Sequence, residues 1–209
     1  MMQKDTKNIN VYDYILEQIG SGRFAMGDAI LINDIAQELH ISISPVREAL
    51  KKMEGEGIVE HHKNRGTFVT RFTVEDVREL FDIRIILECY ALEFSIYNFD
   101  EVYIEQITEE CKDLDSSLKA HHSLHDSIIE KSNKARLIKL YKTLYAQIAL
   151  INILIKNTKT QADKEKSRVE HLAIIENIKS RDLLSAKENL RSHLEGTKES
   201  YMKKFLSRY

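Results

Sequence analysis

The chain has 209 residues, 43% of them hydrophobic, which allows one large or two small domains with packed cores. Its net charge is −2, so no general basic field marks it for nucleic acid, and any such contact has to come from local clusters. Neither a secretory signal nor an apolar run of about 18 residues stands out, which predicts a cytoplasmic protein with no membrane partner. Cys89 and Cys111 have no paired spacing and read as buried structural thiols. One proline and no tryptophan point to a mainly helical chain with short connections.

Residues 1–8 are polar. Residues 9–19 set Val11, Ile15, Leu16 and Ile19 on one side of an amphipathic helix, ended by Gly20-Ser21-Gly22. Phe24, Met26 and Ile30 lead to a second, short helix, where Ile35, Ala36 and Leu39 recur at helical spacing after the capping candidates Asn33 and Asp34. The stretch from His40 to Ser44 is too polar and β-branched to carry that helix on. Ser44 then stands as an N-cap with Pro45 at the first helical position. A third helix is predicted over 45–53, with Val46, Ala49, Leu50 and Met53 on one side and Arg47, Lys51 and Lys52 on the other. Gly55 and Gly57 stop it. Residues 58–61 and 67–70 read as two short strands joined by a polar turn.

Two short helices, a tight turn and a hairpin with a basic tip make a winged helix-turn-helix, its second helix shaped for a major groove. Arg47 is the candidate base reader, Lys51 and Arg65 are candidate phosphate contacts, and Ser42 and Ser44 can donate to phosphate near the helix N-terminus. Lys63, Gly66 and Thr67 complete the wing side of the candidate interface. Residues 42–71 hold six basic and four acidic side chains, a net of +2. That is modest, so the expected binding unit is a homodimer on palindromic double-stranded operator DNA, with marked salt dependence.

Thr73 caps an acidic first turn and sets a boundary between a 1–72 reader and a helical 73–209 domain. From there no proline or strand signal appears. Six helices are predicted over 74–97, 101–115, 118–132, 134–157, 162–180 and 182–206. Residues 137–155 are apolar on more than one face, as expected of a helix in the middle of a bundle. The fold class is mainly α: an N-terminal winged helix-turn-helix followed by an all-helical antiparallel bundle.

Four of the eight histidines ask for a common explanation. His121 and His125 are four apart on one predicted helix, His171 follows Glu170 in the next-to-last, and His193 lies in the last. Singly, each is more often an exposed or locally bonded residue. As a set, an HxxxH pair and two histidines on separate antiparallel helices can converge in a bundle core on a divalent metal. Arg84, four residues before Glu88, can simply pair with that glutamate.

Residues 9–72 resemble the DNA-binding domain of the GntR family of bacterial repressors. The resemblance rests on SPVREALKKMEGEGIV (44–59) followed by RGTFV (65–69), with residues 15–28 fitting that family's first helix and glycine-ended loop. Ile43, where members commonly have a basic residue, and Asn64, where the wing commonly has glycine, depart from the pattern.

Residues 73–209 resemble the FCD domain of the FadR branch, in Arg84-Ile-Ile-Leu-Glu88, Leu124-His125 with Ser132-Asn133, Glu170-His171 with Ile174, and His193. The resemblance implies a divalent metal held by His125, His171 and His193 with an aspartate four residues before His125. That place is His121 here, with His122 the runner-up. Imidazole in place of carboxylate shifts the preference to zinc, nickel or copper, with zinc or nickel expected, and makes the site more positive. The same resemblance turns Arg84 toward an effector cavity, where it can hold a carboxylate, with Tyr141, Tyr145, Gln147 and Asn152 as candidate lining groups.

The combined expectation is a DNA-binding regulator, a repressor rather than an enzyme, whose C-terminal domain senses a small carboxylate metabolite at a metal site. Two rivals stand beside it. A metal-dependent hydrolase would use the same histidines, but His122 occupies the place where an HExxH pattern needs its glutamate base. A purely structural metal would staple the bundle, with regulation elsewhere.

Overall fold

The computed structural model describes residues 10–112, 117–155 and 160–209, with side chains described over the same stretches except 117–123. The chain divides into two compact units. One holds the N-terminal residues through Thr73 together with Tyr145–Lys156, and the other holds Val74–Leu144 and Asn157–Tyr209.

The first unit opens with α1 (Val11–Ser21), whose first turn is capped by the Asn10 side chain accepting from the Tyr12 amide at 3.1 Å. Gly22 ends it at φ 89°. After β1 (Ala29–Ile30) come α2 (Ile32–Glu38) and α3 (Ile43–Gly55), then β2 (Val59–His62) and β3 (Gly66–Val69). The strands form an antiparallel sheet in the order β1-β3-β2. The two-residue β1 is too short for any sequence period to reveal it.

Helix α3 begins earlier than expected. Ser42 holds the N-cap position and Pro45 the third helical one. A proline is tolerated there because the first turn's amides have no intrahelical acceptor to lose. Ile15, Ile35, Val46, Leu50, Met53, Ile58 and Val69 are buried and form the core of this unit. The wing turn places Asn64 at φ 63°, a left-handed conformation that asparagine tolerates better than most residues, so losing the glycine does not undo the turn.

The second unit is helical: α4 (Val74–Ser95), α5 (Glu101–Lys112), α6 (Ser117–Glu130), the start of α7 (Ala135–Leu154), α8 (Gln161–Lys179) and α9 (Leu183–Arg208). Helix α4 packs on α6 and α9, α5 on α6 and α8, and α8 on α9. Phe81, Leu92, Ile107, Leu124, Ile128, Ile174, Leu190 and Leu194 fill the interior, each burial being worth about 1.5–3 kcal/mol before entropy. A capping box between Thr160 and Asp163 starts α8, and Asp182 caps α9 by accepting from the Ser185 amide at 3.1 Å. Breaks fall at Asn133 (φ 55°) and Arg181 (φ 59°), close to two of the predicted boundaries.

Helix α7 departs from the expectation of a bundle-centre helix. Its first part belongs to the helical unit, but residues 145–156 group with the winged unit, where Ile148, Leu150, Ile151, Leu154 and Ile155 are buried. There the Gln147 side chain lies where a Cβ on Gly57 (φ 73°) would come within 2.6 Å, so Gly57 answers both a turn and a close approach. By length and composition α7 is also apolar enough to cross a membrane, contrary to the reading that no such run exists. Its buried Leu137, Tyr141, Leu144, Ile148 and Ile151 place it in protein cores.

Candidate metal centre and nucleic-acid interface

On α3, the 3.6-residue repeat buries Val46, Leu50 and Met53 and leaves Ser42, Ser44, Arg47 and Lys51 on the exposed side. Ser44 Oγ donates to Glu48 at 3.3 Å. Lys63, Arg65 and Gly66 are exposed on the wing, with the Arg65 guanidinium 5.8 Å from the Phe68 ring centroid. Thr67 differs. Strand alternation turns it inward, where it is buried and its hydroxyl lies 3.3 Å from His61 Nδ1, so its side chain is not on the exposed wing. Lys52, which carried no role in the sequence, rests its ammonium 4.5 Å from the Tyr12 ring centroid.

In the helical unit, α6, α8 and α9 bring His125, His171 and His193 together. All three are buried, and one nitrogen from each lies within 4.8 Å of the others. Glu88 Oε2 lies 2.6 Å from His125 Nδ1, and Glu170 Oε2 lies 2.7 Å from His193 Nδ1. Burial, with Arg84 adding to it against the pull of Glu88, lowers the His125 pKa to about 4, so the imidazole is neutral at pH 7. Its Nδ1–H then donates to Glu88, and Nε2 is the nitrogen that carries the lone pair. The same bonding pattern at His193 turns Nε2 toward His171 Nε2, at 3.1 Å.

This donor set fits a divalent ion. Two imidazole nitrogens bound at about 2.0–2.1 Å would lie roughly 3.3 Å apart at a tetrahedral angle, close to the separation seen. A carboxylate behind a ligating imidazole fixes its tautomer and raises its basicity. Three protein nitrogens leave a fourth position open for a ligand. His121 lies one turn before His125 on α6, but its side chain, like that of His122, is outside the described residues.

Arg84 takes the simpler of its two readings. Its Nε donates to Glu88 Oε1 at 2.6 Å, and both side chains are buried. Tyr141 donates to the same oxygen at 2.8 Å. Burial opposes the charge on Glu88, but Arg84 and His125 outweigh it and hold the carboxyl well below the usual range. Burial likewise opposes the Arg84 charge, and Glu88 more than offsets it. Burial beside Glu88 pushes the Tyr141 phenol up, so it stays a donor. The Arg84 charge is therefore balanced by Glu88 inside the protein. Tyr145 and Asn152 fall in the part of α7 that groups with the winged unit, not with the histidines.

The sequence missed the two carboxylates. Glu170 sits beside His171 in the chain, but neighbours on a helix point about 100° apart. It therefore reaches across to His193 on α9. Only the pairing of α8 with α9 reveals that partner.

Residues 8–69 match the family described as bacterial regulatory proteins, gntR family, and residues 79–196 match the FCD domain. The HTH-type transcriptional regulator YdhC of Bacillus subtilis is 28% identical over 198 residues, covering 88% of this chain and 86% of that protein. Among solved structures, E. coli McbR/YncC superposes with a TM-score of 0.77 at 16% identity over 98% of this chain and all of that one. The zinc-bound FCD domain of the regulator TM0439 superposes with a TM-score of 0.54 at 25% identity, covering 64% of this chain and 96% of that one.

Proposed function

The chain belongs to the GntR family of bacterial regulatory proteins, with an FCD domain, and from that premise we propose a metal-dependent sensor of small carboxylates that acts as a cytoplasmic repressor. One observation carries the reading: three buried imidazoles turned toward a common centre, two of them backed by carboxylates. His125, His171 and His193 would hold zinc or nickel, which supplies a Lewis-acidic position for an anionic ligand. Arg84 neutralises Glu88, so that pair adds no net charge beside the ion. Glu170 offsets only part of the remaining +2, which favours an anion in the open position. The zinc reported for the similar FCD domain supports the choice of metal.

No described side chain near the triad is placed as a general base for hydrolysis, since Glu88 and Glu170 are both committed to histidines. This favours sensing over catalysis.

DNA binding would require two copies of the modest reader. The exposed side of α4 supports pairing: Ile83, Ile86 and Tyr90 lie along one face at helical spacing, and Tyr97 is exposed just past the helix end. Exposed Glu79 lies toward one end of that face, and Lys134 rests 4.0 Å from the Phe94 ring centroid at the other. An antiparallel crossing of two such helices sets Glu79 of one copy near Lys134 of the other.

Genomic fragments captured by the zinc-loaded protein should share a palindrome, and small hydroxy acids should release the DNA only when zinc is present. Equal release from chelator-stripped protein would remove the metal from sensing.

A further inference from the structure

We propose that Glu170 is the positioning carboxylate for His193 and forms the wall of the channel through which a metal ion reaches the histidines. The inference rests on the metal reading above and adds to it the route by which the ion enters.

The two carboxylate–histidine pairs are not equivalent. Glu88 is fully buried and already accepts from Arg84, Tyr141 and His125. Nothing from solvent approaches His125 on that side without breaking a buried ion pair. Glu170 has the same bond to its histidine, 2.7 Å to Nδ1, but its side chain is 32% exposed. Its other oxygen lies 3.8 Å from the Lys166 ammonium, an extended and mostly exposed contact of little strength.

A groove of about 100 Å³ between α8 and α9 lies over this pair, lined by Lys166, Ser167, Glu170, Thr197, Ser200 and Lys204 and touching His193. Its polar walls include the hydroxyls of Ser167, Thr197 and Ser200 and the carboxylates of Glu170 and Asp163, oxygen donors suited to a cation that is exchanging water, beside the ammonium groups of Lys166 and Lys204. His193 itself is 3% exposed and closes the bottom.

The chemistry follows in order. The Glu170 oxygen that faces the groove would receive a hydrated cation in place of Lys166. His193 and His171 would then offer their Nε2 atoms, while the other Glu170 oxygen keeps His193 Nδ1–H in place. Water is exchanged for imidazole nitrogen, and the proton that His171 and His193 share between their Nε2 atoms must move to the other nitrogen of His171 or leave to solvent as the metal binds. Glu170 thereby acts on both the rate of loading and the affinity, whereas Glu88 acts on affinity alone.

Full-length protein stripped with chelator tests this with zinc and cobalt as probes. Glu170→Ala should lose about 10–100-fold in zinc affinity, the cost of deleting a carboxylate behind a ligating histidine, and Glu170→Gln, which keeps an acceptor, should fall at the low end. Both should alter the cobalt absorption bands and leave the metal-free melting temperature at the wild-type value, which a merely structural role would not do. Ser200→Trp, which narrows the groove away from the ligands, should slow zinc uptake with equilibrium affinity unchanged. Wild-type affinity in Glu170→Ala, or an unchanged uptake rate in Ser200→Trp, overturns the proposal while the metal reading stands. A wild-type protein that takes up no zinc brings down both.

Discussion

Glu88 and His125 are 37 residues apart, yet their side chains meet at 2.6 Å in the interior of the helical unit. The same carboxylate accepts from Arg84 one turn earlier on α4 and from Tyr141 on α7. Three helices therefore close on one buried anion, and a prediction rests on its removal.

Glu88→Gln leaves the Arg84 charge buried without a counter-charge and should cost about 3–5 kcal/mol in chemical denaturation. Arg84→Met combined with Glu88→Gln should recover most of that loss. A double variant no more stable than the single one would show that the pair's charges are not what Glu88 contributes.

Acid should destabilise the metal-free protein in a defined window. The His125 pKa is depressed to about 4 in the fold against about 6.5 in an unfolded chain, so the unfolded state takes its proton first. That contribution is complete above pH 6.5 and is lost as pH falls toward 4. Glu88, held low, adds a loss below the ordinary glutamate range. Asp126 runs the other way. Burial, with Glu130 and Glu88 nearby, raises its pKa to about 6, so its contribution is present at low pH and is lost as pH rises through 6. Melting temperature should fall on acidification from pH 6.5 to 4, and fall more steeply in Asp126→Asn. A flat profile in both proteins would contradict this assignment.

Zinc should stabilise the chain through His171. At a free concentration 100-fold above the Kd, a ligand bound only by the folded state adds about 2.7 kcal/mol, or roughly 5–10 °C for a chain of this size. His171→Ala should abolish that shift. A melting temperature unmoved by zinc in the wild type would mean that these histidines are ordinary bundle residues.

Arg47 and Lys51 share the exposed side of α3 and should fail differently. Arg47→Ala should cost about 1–3 kcal/mol in operator binding and relax preference at one base position. Lys51→Ala should weaken all sequences alike and flatten the salt slope. Indistinguishable profiles for the two variants would remove Arg47 from base reading.

Ile86, 64% exposed at the middle of the apolar α4 face, should be central to pairing. Ile86→Glu should shift sedimentation from dimer to monomer and weaken operator binding steeply, since two readers multiply their effective affinity. A wild-type protein that sediments only as monomer, on and off DNA, would refute the pairing.

Much of this molecule was legible in its sequence because the signals are local. The spacing of Val46, Leu50 and Met53 against Arg47 and Lys51 fixes a helix and its exposed side, whatever packs beneath it. Thr73, Asn133 and Arg181 mark helix limits through capping and turn preferences that act within a few residues. The set of His125, His171 and His193 was also recoverable, as residue types on separate helices, with a family resemblance to join them.

What the chain could not announce is which faces meet. An α7 apolar on more than one face must be largely buried, but periodicity does not say against what, and its second half groups with the winged unit. Thr67 turned inward because the pleat alternates from a register set by its partner strands. Arg84 could pair with Glu88 or not, and burial supplied the pair, because a guanidinium out of water needs a carboxylate close by. Glu170 adjoins His171 in the chain but serves His193. Sequence alone determined most of the helices and the two wing strands, the exposed basic side of α3 and the histidines available for a metal. Only the tertiary structure decided which carboxylate stands behind which imidazole, since hydrogen bonds depend on helix faces meeting across the bundle rather than on neighbours along the chain.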